Sequence, residues 1–145
     1  MKYELLSINK DELLKHNLPI EIKNFNFVLV INKIKYPVFD KFNIKEFKED
    51  NVICINYWTN VAFIDGKSGE LLLYTGLDDS FVGVESLKFN YLIISDTAMI
   101  MFNKDSFYPN YYAKLTDYVL DYELLSDNEI KLKFAVEDEL VYNFN

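Results

Sequence analysis

From Asp117 onward, apolar and polar residues alternate with the two-residue period of strands that have one dry and one wet face. Tyr118, Leu120, Tyr122 and Leu124 form one apolar series, and Ile130, Leu132, Phe134 and Val136 form the next. A three-residue turn at Ser126, Asp127 and Asn128 sets Leu124 against Ile130, Tyr122 against Leu132, Leu120 against Phe134 and Tyr118 against Val136. Asn128 then suits a left-handed third turn position. The same register faces Glu123 with Lys131 and Asp121 with Lys133 on the wet side, opposite charges that support the pairing. A second return through Glu137, Asp138 and Glu139 brings Leu140, Tyr142 and Phe144 back to the dry side, which makes a C-terminal three-stranded meander.

Further strands are predicted at Val52 to Trp58, Val61 to Ile64, Leu71 to Tyr74, Tyr91 to Ile94 and Ala98 to Phe102. Phe27 to Ile31 is an unbroken apolar run suited to a central strand covered on both faces. Between Ile64 and Glu70, an Asp and two glycines mark a tight turn joining adjacent antiparallel strands. Two short helices are predicted from capping patterns. Asn9 and Glu12 precede Leu13 and Leu14, with Pro19 closing the region, and Asn43 and Glu46 frame Ile44 and Phe47. The expected fold is mainly β, with α+β as its variant: an antiparallel sheet forming a sandwich or incomplete barrel, with the two helices against it. No fixed-period repeat of letters, low-complexity tract or Gly/Pro-rich linker is visible, which argues against a propeller, a solenoid or a second domain. Residues 1–145 are therefore expected to form a single domain.

Composition narrows the function more than it shapes the fold. Half the residues are hydrophobic and 17% are aromatic, enough for a packed core despite a formal charge of −8. All fifteen cationic residues are Lys. Without Arg, the usual bidentate clamp for phosphate and guanine is missing, and a net negative chain repels polyanions, so nucleic acid is not an expected partner. No stretch reads as a secretory leader or a membrane span, which makes the cytoplasm the expected location.

Candidate chemistry is sparse. The one cysteine, Cys54, sits in an apolar run and is expected to pack as a small hydrophobe. The one histidine, His16, is placed to cap the first helix. Gly66, Lys67 and Ser68 imitate the end of a phosphate-binding loop, but Val61 stands where the upstream glycine belongs and a strand follows. Neither a metal nor another cofactor is expected, and the set of groups for enzymatic catalysis is thin.

What remains are surface groups suited to recognition: the acidic pair Asp78 and Asp79, the acidic turn Glu137, Asp138 and Glu139, and the aromatic stretch containing Tyr108, Tyr111 and Tyr112. Tyrosines in a connection either dock on a partner or fold inward to plug the core. The expected function is a non-enzymatic protein-binding domain, an acidic inhibitor or immunity-type protein that neutralises a basic partner. The alternative is a small-ligand-binding β domain whose cavity is lined by rings such as Tyr57, Trp58, Tyr111 and Tyr112.

Overall fold

Fourteen strands and no helix make up the described part of the chain, residues 3–7, 27–31, 34–38 and 42–144 of a computed structural model. The chain divides into two compact units, Met1–Thr75 and Gly76–Asn145. In the first, β1 (Tyr3–Ser7), β2 (Phe27–Ile31) and β3 (Ile34–Val38) form an antiparallel sheet with β2 in the middle. The next sheet runs in chain order through β4 (Asn43–Phe47), β5 (Val52–Tyr57), β6 (Asn60–Asp65) and β7 (Leu71–Gly76). β5 is buried on both faces from Val52 to Asn56, and Ile53, Ile55 and Ile64 form a core cluster against which Phe42 and Ile44 pack.

The second unit holds the same two kinds of antiparallel sheet in the reverse order. A sheet of β8 (Phe81–Ser86), β9 (Asn90–Ser95), β10 (Ala98–Asn103) and β11 (Pro109–Lys114) is followed by β12 (Val119–Ser126), β13 (Glu129–Phe134) and β14 (Leu140–Asn143). Leu92, Ile94, Met99 and Met101 from the four-stranded sheet share one buried cluster with Val119, Ile130, Leu132 and Phe134 from the last sheet.

The predicted helix at Asn43 to Phe47 is a strand. Its residues pair with β5, Ile44 opposite Ile55 and Phe47 opposite Val52, and the Asn43 amide donates across the pair to Asn56 Oδ1 at 3.3 Å instead of capping a turn. Burial against β5 outweighs a weak local capping signal. The other predicted helix, with Pro19 and His16, lies outside the described residues.

The meander register is right in its middle and wrong at its ends. Tyr122 faces Leu132, Leu124 faces Ile130, Asp121 faces Lys133, and Glu123 faces Lys131 with an ion pair at 3.1 Å. Bulges interrupt β12 between Val119 and Asp121 and between Leu124 and Ser126. Val119, not Leu120, therefore lies opposite Phe134, and Ser126 pairs with Glu129, leaving a two-residue turn at Asp127 and Asn128. Asn128 is not among the residues with positive φ.

A repeat hidden in the letters is plain in the backbone. Each strand of β8–β11 starts 38 residues after its counterpart in β4–β7: Asn43 and Phe81, Val52 and Asn90, Asn60 and Ala98, Leu71 and Pro109. The turns after β6 and β10 carry the same hydrogen bonds. Asp65 Oδ1 accepts from the Lys67 and Ser68 amides, as Asn103 Oδ1 does from Asp105 and Ser106. Gly69, at φ 78°, is matched by Phe107 at φ 57°. Phe107 holds that left-handed conformation with its ring stacked on Tyr91, centroids 5.9 Å apart.

Candidate functional site

Four connections meet at one end of the second unit: 77–80 before β8, Asp96 and Thr97 between β9 and β10, 115–118 before β12, and 135–139 between β13 and β14. Backbone hydrogen bonds join them in sequence. The Asp96 amide donates to Ser80 O at 2.9 Å, the Val119 amide to Asp96 O at 2.8 Å and the Ala135 amide to Tyr118 O at 2.9 Å.

Two aspartates, again 38 residues apart, hold this end together. Asp79 Oδ2 accepts from the Thr97 hydroxyl. Asp117 Oδ2 accepts from the amides of Val136 and Glu137 at 2.7 and 2.8 Å, and its Oδ1 from Tyr118 N at 2.7 Å. Each stands just before the first strand of its sheet and fastens the turn between the second and third strands. Burial opposes the Asp79 charge, but the bonded Thr97 hydroxyl, the nearby Ser95 hydroxyl and neighbouring backbone amides outweigh it and hold the carboxyl below its ordinary range. The Glu137 amide, then that of Val136, do the same for Asp117. Asp96 is raised, first by burial and then by the Asp79 charge beside it.

The carboxylates of this end are Asp78, Asp79, Asp96, Asp117, Glu137, Asp138 and Glu139, and its four connections contain no lysine. Asp78, Glu137, Asp138 and Glu139 are exposed, although Glu137 also accepts a bond from the Thr116 hydroxyl at 3.1 Å. The fold thus gathers the two acidic segments that stand far apart in sequence.

The tyrosine stretch is split. Residues 109–114 form edge strand β11, so alternation divides the rings. Tyr111 turns inward, meeting Phe144 edge to face with centroids 5.4 Å apart, while Tyr112 is 57% exposed. Tyr108, 74% exposed, lies at the opposite end of the sheet, where its carbonyl accepts from Asn103 N. Burial, followed by the proximity of Tyr142, raises the Tyr111 phenol.

No protein-family model matches the chain, and no curated protein is similar to it in sequence. Solved structures do match. BamB from Moraxella catarrhalis aligns with 97% of this chain at a TM-score of 0.60 and 10% identity. Sqt1 from Saccharomyces cerevisiae aligns with 97% at 0.58 and 13%. The fold is β-propeller-like. The successive four-stranded meanders correspond to propeller-type blades, which overturns the argument against a propeller drawn from the absence of repeated letters. The similarity also supports this architecture in place of the sandwich or barrel expected from the strands. The chain spans less than half the length of these structures, 48% of BamB and 44% of Sqt1.

Alternation misplaced Tyr118 and Val136. Both belong to its dry face, yet Tyr118 is 60% and Val136 89% exposed, beside the Asp117 bonds. The signal for this was Asp117 itself, an aspartate that bonds the amide following it and, across the sheet end, the amides of Val136 and Glu137.

Proposed function

We propose that this chain is a non-enzymatic protein-binding domain that docks a basic partner through the acidic end of Gly76–Asn145. The supporting observation is the concentration of carboxylates on connections that carry no lysine, with Asp78, Asp138 and Glu139 exposed. Such a surface attracts a cationic protein over a Debye length and makes its association depend on salt. Inhibition of that partner, as an immunity-type protein would act in the cytoplasm, is the biological role that fits this chemistry.

The test is capture of the partner from native lysate at low and raised salt, followed by association kinetics with the purified partner. Substituting Asp138→Lys and Glu139→Lys is expected to slow association by about tenfold at low salt and to flatten its salt dependence. An unchanged association rate would rule out this end as the docking surface.

A further inference from the structure

The first bulge of β12 has a consequence for the surface. Because Val119 takes the place opposite Phe134, the alternation changes face there, and Tyr118 and Leu120 are left outside at 60% and 61% exposure. Val136 joins them from the neighbouring turn. Three apolar side chains therefore stand exposed at one corner of the last sheet.

Hydrogen bonds tie the backbone of this corner together. Asp117 binds the amides of Tyr118, Val136 and Glu137, while Tyr118 O accepts from Ala135. An apolar patch already held in place loses little conformational freedom on docking, and tyrosine is among the residues that anchor interfaces. Its rim determines what it fits. Asp121, Glu137 and Asp138 carry negative charge around it, with Lys133 set opposite Asp121.

We infer that Tyr118, Leu120 and Val136 form the anchor patch for a protein segment presenting an apolar side chain between cationic ones. The inference rests on the docking reading above and names the place where its apolar contact is made.

Amide spectra of the isotope-labelled protein would be titrated with a short peptide, acetyl-Lys-Lys-Leu-Phe-Lys-Lys-amide, and with a control carrying Gly in place of Leu and Phe. The first peptide should shift amides in 116–121 and 133–139 and bind at least about fivefold more tightly than the control. The Tyr118→Ser, Val136→Ser double variant should lose that preference, with its remaining spectrum unchanged. Equal binding of the two peptides, or a preference retained by the variant, overturns the anchor patch and leaves the acidic docking surface standing. No shift at the acidic end with either peptide overturns both.

Discussion

Gly83 in β8 has the ring of Tyr122 lying directly against its Cα. A methyl group added there would come within 2.7 Å of Tyr122 Cζ, and closer still to Cε1 and Oη. Carbon atoms settle at roughly 3.5–4.0 Å, so Gly83→Ala requires the ring to retreat by about 1 Å. That retreat breaks the 2.9 Å bond from the Tyr122 hydroxyl to Glu85 Oε1. Overpacking costs about 1–3 kcal/mol. The lost bond to a charged, partly exposed acceptor adds about 1 kcal/mol. Replacing a strand glycine returns about 0.5–1 kcal/mol. The net expectation is destabilisation by about 2 kcal/mol. Urea unfolding of the parent, Gly83→Ala, Tyr122→Leu and the double variant would measure it. In the Tyr122→Leu background the alanine should stabilise by about 0.5–1 kcal/mol, giving a coupling of about 3 kcal/mol. Equal cost of the alanine in both backgrounds would refute the contact as its cause.

Three other outcomes follow from the structure. Cys54 is buried, and that burial, despite nearby Lys45, pushes its thiol up to about 12, so a thiol reagent should label the folded protein only at the rate of unfolding. Phe107→Gly should be less destabilising than Phe107→Ala by about 1 kcal/mol in urea, because both lose the Tyr91 stack but only glycine accepts φ 57° freely. The Asp117 carboxyl is held below its ordinary value, so its stabilising contribution is complete above the unfolded pKa of about 3.9 and disappears as pH falls through the lower native value. Acid unfolding of Asp117→Asn should accordingly be less steep below that pH than in the parent, while its urea midpoint at neutral pH is lower.

Local patterns were strongest where chain neighbours make the structure. The turn at Asp65 was legible because an aspartate bonds its own following amides and Gly69 takes the left-handed position. The middle of the β12–β13 pairing was legible because slipping it would set charge against the core. The acidic segments were visible too, but not that Asp78 and Glu137 share an end, since that depends on hydrogen bonds between connections far apart in sequence. The repeat is not legible in the letters because its period resides in backbone geometry. At a spacing of 38 only isolated letters recur, such as Thr59 and Thr97, Ser68 and Ser106, Tyr74 and Tyr112, Leu77 and Leu115, and Asp79 and Asp117.

Alternation, turn chemistry and charge pairing thus determined that this chain makes antiparallel strands and, over much of the meander, how they pair. Tertiary structure decided the rest. It made Asn43–Phe47 a strand because β5 offered Ile44 and Phe47 a partner. It put Tyr118 outside because one bulge reverses the faces of a strand, and it placed Phe107 where a glycine would sit because the Tyr91 ring was there to receive it. Local preferences amount to about 1 kcal/mol or less per residue, and burial against a distant neighbour exceeds that.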